Sequence, residues 1–167
     1  DGVWAVLLWL SVLAARRQSV QQVAREHWAS YGRNYYTRHD YEDLDAAIAQ
    51  ALMQALAAKL ADLPGSTHGT RRIVLADDFS YTDPIDASIS RHQGLRIVFD
   101  DAARIVYRLS GTGTSGATLR VYIERYEADP GHLALDTQEA LADLIALADG
   151  LVQLRERTAR ERPDVVT

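Results

Sequence analysis

The sequence predicts an α+β protein: an antiparallel sheet with two covering helices, preceded by an αα-hairpin. Two observations lead to this fold class. Between residues 34 and 160, alternating strand patterns are flanked by one helical pattern on each side, and such segregated runs are typical of α+β folds. Before residue 34, two helical patterns follow each other closely. The 167 residues suffice for one domain and part of a second.

The first helical pattern is apolar on all sides. Residues 3–15 contain only one polar side chain, Ser11, and Asp1 can cap the helix. This pattern predicts a helix that is buried on several sides by further protein or, without that protein, by self-association or by docking on its own domain. The stretch is shorter than the ~20 residues of a membrane span, and no basic segment precedes it. We therefore expect a helix that continues from upstream sequence, and not a targeting element.

A capping box marks the second helix. Ser19 and Gln22 have the required spacing, and Gly32 is suited to end the helix. Strand-forming residues begin at position 34, which is a clear shift in composition. We therefore place a domain boundary near Arg33, with residues 1–33 as a helical remnant of a preceding domain and residues 34–167 as the main domain.

The main domain is predicted to begin and end with regular elements. Asp45 caps an alanine-rich helix that we expect to extend through Leu63, before Pro64. A last amphipathic helix is expected from Thr137 to Arg157. The strand patterns between these helices are short and alternate apolar with polar residues. They lie at residues 73–75, 79–81, 95–99, 104–109 and 118–126.

Composition and charge exclude several functions. The chain is 47% hydrophobic and 25% charged, with a net charge of −5, which is typical of a globular protein. It has neither a basic run nor a basic helical face, so we expect no nucleic-acid partner and no membrane partner. The absence of cysteine excludes disulfides and fits a cytoplasmic protein. The five histidines are scattered, so we expect no metal site.

The segment from Arg108 to Arg120 has the composition of an oxyanion site. Its glycines allow backbone N–H groups to turn inward and form an anion-binding nest. Its hydroxyl groups are further donors, and the arginine at each end offers a planar fork that matches phosphate oxygens. The residues that carry this interpretation are Arg108, Ser110, Gly111, Thr112, Gly113, Thr114, Ser115, Gly116 and Arg120.

Two other interpretations of this segment are weaker. A flexible hairpin loop would explain the glycines and hydroxyl residues, but it would not explain the flanking arginines. The glycines at 111, 113 and 116 also match a dinucleotide-binding pattern. That pattern must open a helix after a strand, whereas here a strand is predicted to follow.

The same segment resembles the phosphate-binding loop of the C-terminal domain of phosphoglucomutases, with Ser-Gly-Thr-Gly followed by Gly-Ala-Thr. Similarity to the family covers essentially the whole chain. Two departures are visible: Thr114-Ser115 where the family commonly has Ser-Ala, and Ala87 where glycine is usual. The other similar segments are Trp28–Arg38, Tyr81–Asp86, Ser90–Arg96 and Gln153–Thr158.

The resemblance implies a fold, an activity and a site. It implies a TATA-box-binding-protein-like C-terminal domain, preceded by the end of the third domain of a four-domain isomerase. Family members interconvert glucose 1-phosphate and glucose 6-phosphate through glucose 1,6-bisphosphate, with a phosphoserine and Mg²⁺. The family's phosphoserine, metal and sugar loops have no match here, so we expect this fragment to be inactive alone and to bind no Mg²⁺. The residues implied to hold the non-reacting phosphate are Arg108, Ser110, Gly111, Thr112, Gly113 and Arg120.

The resemblance also implies partners: the phosphosugar and the missing upstream domains of the same protein. Two alternatives remain open at this point. The chain could be a stand-alone phosphosugar-binding or regulatory module without catalysis, or a structural interaction domain that binds no phosphate.

Overall fold

The computed structural model describes residues 2–111 and 116–167. Within these ranges the chain forms six α-helices and nine strands. The helices are α1 (Gly2–Arg16), α2 (Val20–Tyr31), α3 (Ala46–Ala57), α4 (Thr137–Ala140), α5 (Ala142–Val152) and α6 (Leu154–Thr158). The strands are β1 (Arg33–Leu44), β2 (Thr67–His68), β3 (Arg71–Asp78), β4 (Tyr81–Thr82), β5 (Ile89–Ser90), β6 (Leu95–Phe99), β7 (Arg104–Ser110), β8 (Ala117–Glu127) and β9 (Val165–Val166).

The chain divides into two compact units. One consists of Asp1–Asn34 with Tyr126–Leu135, and the other of Tyr35–Arg125 with Asp136–Thr167. The predicted capping box of α2 is confirmed in the first unit: the Ser19 backbone N–H donates to the Gln22 side chain, and the Gln22 N–H donates to Ser19 Oγ. Gly32 ends α2 with a φ of +78°.

Helix α1 is exposed in the single chain. None of its described residues is buried, and Val3 and Trp4 are 70% and 64% exposed. Its burial against further protein or by self-association therefore stays a prediction. No helix within the described ranges is long and apolar enough to cross a membrane. The large apolar residues exposed along α1 are Val3, Trp4, Val6, Leu7, Leu8, Trp9 and Leu10.

The second unit contains the predicted antiparallel sheet, built from seven strands in the order β2-β3-β6-β7-β8-β1-β9. Strands β2, β3, β6, β7 and β8 pair antiparallel in succession, and β9 pairs antiparallel with β1. Val166 is the partner of His39, and Val165 is the partner of Asp40. Strands β4 and β5 form a separate two-stranded hairpin, so the strand predicted at 79–81 is shifted and lies outside the main sheet. Strands of two residues leave no periodicity in the sequence, which is why β2, β5 and β9 were not predicted.

Helices α3, α5 and α6 contact one another, and α3 packs on β6 and β7 on one face of the sheet. Helix α5 also contacts this face, since the Tyr107 hydroxyl of β7 donates to the Ala148 carbonyl oxygen. Leu52 and Leu56 of α3 are buried there together with alternate residues of β7 and β8, such as Tyr107 and Leu119. Because side chains alternate across a strand, the residues between them lie on the opposite face. That second face, which we call the open face, carries the polar side chains described below.

Two predicted helices were too long. Helix α3 ends at Ala57 and is followed by a 3₁₀ turn over residues 60–62, a common way for a helix end to tighten. The predicted helix from Thr137 to Arg157 is interrupted, and Gln153 adopts a left-handed φ of +53°. Val152 and Leu154 are both buried, although two residues apart on a continuous helix would point about 200° apart. The break at Gln153 lets both side chains reach the core.

Candidate functional site

The hairpin formed by β7 and β8 brings the two predicted arginines together. Arg108 is the direct cross-strand partner of Arg120, and Ser110 is the partner of Thr118. Residues opposite each other in an antiparallel pair have Cβ atoms about 4.5–5.5 Å apart and lie on one face. Like charges in this arrangement repel and destabilise the sheet. We therefore expect that these two arginines serve a role other than stabilising the sheet.

Most arginines on the open face are compensated by carboxylates. Arg96 donates to both carboxylate oxygens of Asp77, at 3.0 and 2.7 Å, and this hydrogen bonding raises the pKa of Arg96. Arg104 forms an ion pair with its cross-strand partner Glu124. These pairs are structural, since each positive charge is matched within hydrogen-bond distance.

Arg120 and Arg38 share one buried carboxylate. The Arg120 Nε atom lies 3.6 Å from Asp40 Oδ2, and the Arg38 Nε atom lies 2.9 Å from Asp40 Oδ1. The Asp40 side chain is only 4% exposed. Arg108 differs from the other arginines of the open face: among the described residues, its guanidinium has neither a hydrogen bond nor an ion pair, and it is exposed. Its whole guanidinium is thus available to a ligand.

The ends of the connecting loop have backbone conformations that favour glycine. Gly111 has a φ of +66° and Gly116 a φ of +102°, in a region where L side chains are strained. A Cβ atom on Gly116 would also lie 3.2 Å from the Cα atom of Asp43. The loop thus ends against the end of β1. The predicted site residues Thr112 and Gly113, together with residues 114 and 115, lie outside the described residues.

Gly94 gives Arg108 the space that its side chain occupies. A Cβ atom on Gly94 would lie 2.9 Å from Arg108 Cγ and 2.9 Å from the Tyr107 carbonyl oxygen. Gly94 also has a φ of +149°. A larger residue at this position would therefore displace the stem of Arg108.

A cavity of about 400 Å³ on the open face borders Arg108. Aromatic side chains form much of its wall, and Arg96, Arg104 and Glu124 add charged groups. Such a mixture of apolar walls and a few charged groups is typical of sites for small molecules. The aromatic residues are Tyr36, Phe79, Tyr81 and Tyr122.

The structure brings four of the six predicted site residues together, namely Arg108, Ser110, Gly111 and Arg120. Sequence reasoning did not select Asp40, although a signal was present. Arg38 and Asp40 are two residues apart on a predicted strand, which places both side chains on one face. Gly94 lies in the segment Ser90–Arg96, which resembles the family, but the sequence indicated no role for it.

The described residues contain no group of three or more His, Asp or Glu side chains that could hold a metal ion. The Mg²⁺ that the resemblance implies requires several oxygen ligands in octahedral geometry. The described residues do not provide such a set and therefore do not fit Mg²⁺.

Comparison with known proteins gives a consistent result. The sequence model of the family described as phosphoglucomutase-1, C-terminal domain, matches residues 33–164. A phosphoglucomutase of Rhizobium radiobacter is 53% identical over 167 residues, which are 100% of this chain and 31% of that protein. Phosphoglucomutase-1 of Homo sapiens is 48% identical, again with all of this chain and 31% of the relative covered. A relative from Populus tremula, named phosphoglucomutase, cytoplasmic, is 46% identical, and the match covers 100% of this chain and 31% of the relative.

A solved structure has the same fold. It is the open form of the exocytosis-sensitive phosphoprotein pp63/parafusin, a phosphoglucomutase from Paramecium, and it superposes with a TM-score of 0.85 at 39% identity. All of this chain and 29% of that chain are covered. The chain therefore spans about a third of the length of the proteins that it resembles.

Proposed function

Because this chain belongs to the phosphoglucomutase-1 C-terminal domain family, we propose that its β7–β8 hairpin binds the phosphate group of a sugar phosphate that is not being transferred. The observation that carries the proposal is the position of Arg108. Its guanidinium has no partner among the described residues, and it lies directly opposite a second arginine, Arg120. A bound dianion would remove the repulsion between the two and accept hydrogen bonds from both.

The loop supplies the neutral donors of this site. Ser110 ends β7 and Thr112 follows in the loop, and we propose that Gly111 and Gly113 allow backbone N–H groups to point toward an anion. We therefore propose Arg108, Ser110, Gly111, Thr112, Gly113 and Arg120 as the phosphate-binding residues.

In the whole protein, we propose, this site serves the interconversion of glucose 1-phosphate and glucose 6-phosphate through glucose 1,6-bisphosphate. Binding the remote phosphate fixes the sugar, so that its other end is presented for reaction. The Mg²⁺ that the family resemblance implies would be held by residues of that protein outside this chain. The present chain contributes binding and orientation only, and by itself it is expected to be inactive.

We also propose how this chain is placed in the whole protein. Residues 1–33 would be the end of a preceding sugar-binding domain, and residues 34–167 the phosphate-binding domain. The exposed apolar residues of α1 would pack against upstream domains of the same protein and, without these domains, against a second copy of this chain. We also propose a cytoplasmic location, since the relative from Populus tremula is named phosphoglucomutase, cytoplasmic.

An NMR titration of the 167-residue chain tests phosphate binding. Adding inorganic phosphate, and separately glucose 1-phosphate, should shift the amide resonances of Gly111 and Gly116 first. Arg108→Ala should abolish the shifts, and Arg108→Lys should restore only part of the affinity, because an ammonium group cannot reproduce the planar fork. Arg104→Ala is the matched control, since this arginine lies on the same face but is paired with Glu124.

Two kinds of result would contradict the proposed function. Glycine amides that do not move at tens of millimolar phosphate, or equal shifts in Arg108→Ala, would show that the hairpin is not a phosphate site. A coupled assay with purified chain should give no interconversion of the two glucose phosphates. Turnover above background would contradict the assignment of a binding role alone.

A further inference from the structure

Asp40 lies buried on the open face, between two guanidinium groups. The carboxylate is 4% exposed, and the Nε atoms of Arg38 and Arg120 approach its two different oxygens. Burying a carboxylate is costly unless it is paired, and an apolar residue can often replace a buried ion pair without loss of stability. The presence of an acid at this position therefore points to a role other than packing.

The arrangement leaves specific donors free. Both arginines approach Asp40 through Nε, and among the described residues neither has a hydrogen bond from its terminal Nη groups. These contacts are ion pairs and not hydrogen bonds, since the two Nε atoms and Asp40 Oδ1 have no hydrogen-bond partner among the described residues. The carboxylate thus draws both guanidinium groups toward itself by charge, with the Nε edge of each facing it, and leaves their outer donors available.

Arg108, Arg120 and Arg38 lie on three adjacent strands, β7, β8 and β1. Strand order places β8 between β7 and β1, and Arg120 on β8 is both the partner of Arg108 and the neighbour of Asp40. Arg38 therefore lies next to the site that Arg108 and Arg120 define. A phosphate group has enough oxygens to accept hydrogen bonds from more than two guanidinium groups.

We propose that Asp40 is a positioning residue of the phosphate site and that Arg38 is a third phosphate-binding arginine, held in place through Asp40. The inference rests on the proposed function of the hairpin. Asp40 does not contact the phosphate, which its own negative charge would repel. It acts by aligning Arg120 and Arg38.

The variant Asp40→Asn tests the proposal, because alignment of the arginines and simple electrostatics predict opposite changes in phosphate affinity. Asp40→Asn removes a negative charge beside an anion site, so charge alone would strengthen phosphate binding. Loss of alignment would weaken it, by about tenfold if one charge-assisted hydrogen bond is lost. The sign of the change in affinity therefore separates the two effects.

Asp43→Asn is the matched control. Asp43 is exposed and lies at the foot of the same loop, beside Gly116, and no ion pair joins it to another described residue. Its φ of +50° is a conformation that asparagine also accepts. This variant removes a nearby negative charge without disturbing an arginine, so phosphate affinity should stay unchanged or increase slightly.

The experiment measures inorganic phosphate affinity by NMR titration of the full 167-residue chain and of its variants. We expect Asp40→Asn to bind about tenfold more weakly, with its Arg38 and Arg120 Nε–H resonances shifted before phosphate is added. An Asp40→Asn chain that is folded and binds as tightly as the wild type, or more tightly, would overturn the proposal. If the wild type binds no phosphate, or if Arg108→Ala binds normally, the proposed function itself fails.

A second pair of variants decides the matter if Asp40→Asn does not fold. Arg38 is 30% exposed, so Arg38→Gln should be tolerated. We expect Arg38→Gln to lose about tenfold in phosphate affinity and Arg38→Lys to recover part of that loss. Wild-type affinity in Arg38→Gln would show that Arg38 is no part of the site and would equally overturn the proposal.

Discussion

Arg108 and Arg120 are direct cross-strand partners on the open face of the sheet. Asp40 compensates the charge of Arg120 at 3.6 Å, but no described residue compensates that of Arg108. The hairpin thus has a cost in the free chain that a bound anion would remove. Several measurable properties depend on this relationship and on the backbone around it.

Replacing Arg108 should stabilise the free chain. Arg108→Thr removes the like-charge pair and keeps a strand-forming residue, so we expect the free energy of unfolding to rise by about 0.2–1 kcal/mol in phosphate-free buffer. With saturating phosphate the order should reverse, because only the wild type gains stability from binding. Urea denaturation under both conditions measures this. A variant that is less stable than the wild type in both buffers would contradict the expectation.

The two described glycines of the loop should differ in their tolerance of alanine. Gly116→Ala places a Cβ atom 3.2 Å from the Cα atom of Asp43, at a φ of +102°, and should cost about 2–3 kcal/mol of stability. Gly111→Ala is the comparison, because the nearest atom would be 3.9 Å away. Its left-handed φ alone should cost about 1 kcal/mol. Equal losses in thermal or urea denaturation would show that the contact with Asp43 is unimportant.

Asp149 should make stability depend on pH. Burial raises its pKa above the ordinary value, and outweighs Arg155 and the Tyr41 hydroxyl, which lower it. As pH rises from the ordinary aspartate pKa to the raised one, the unfolded chain loses this proton before the folded chain does. The contribution of Asp149 to the free energy of unfolding therefore falls across that window and is constant above it.

The Asp149→Asn variant lacks this titration. Urea denaturation of both chains between about pH 3 and pH 7 should show the variant gaining stability relative to the wild type as pH rises. The asparagine side chain can still accept the hydrogen bond from Tyr41. A stability difference that is independent of pH, or that changes in the opposite direction, would mean that burial does not dominate at Asp149.

Helix α1 should cause self-association. Burying its exposed large apolar side chains would gain about 25 cal/mol for each Å² removed from water, which favours association of two chains. Light scattering should therefore show a mass that rises with concentration. Leu8→Lys should raise the dissociation constant about tenfold or more. Ser11→Lys adds the same charge at a polar exposed position of the same helix and should have a smaller effect. A monomer at all concentrations would contradict the prediction.

The sequence was most informative where a pattern repeats or where a residue type has a single structural use. Alternation predicted β6, β7 and β8, and the cap residues Ser19 and Asp45 were confirmed by their hydrogen bonds to backbone N–H groups. The glycine expected by family resemblance at position 87 also has a structural reason, since Ala87 adopts a φ of +59°.

Features that depend on tertiary packing could not be predicted. The break at Gln153 exists because Val152 and Leu154 both reach the core, which no local propensity encodes. The site was only partly predictable for the same reason. The loop sequence identified Arg108 and Arg120, whereas the roles of Asp40 and Gly94 follow from strand order and from contacts between distant segments.

The pairing of β9 with β1 makes the residues from Asp164 to Thr167 a support for the proposed phosphate site. Thr167 exchanges two backbone hydrogen bonds with Arg38, and the Asp164 N–H donates to the Asp40 carbonyl oxygen. Without these residues, the strand that carries Arg38 and Asp40 would become a free sheet edge. Removing residues 164–167, or fusing an affinity tag directly after Thr167, would thus disturb ligand binding at a distance. A tag used in binding studies should be placed elsewhere.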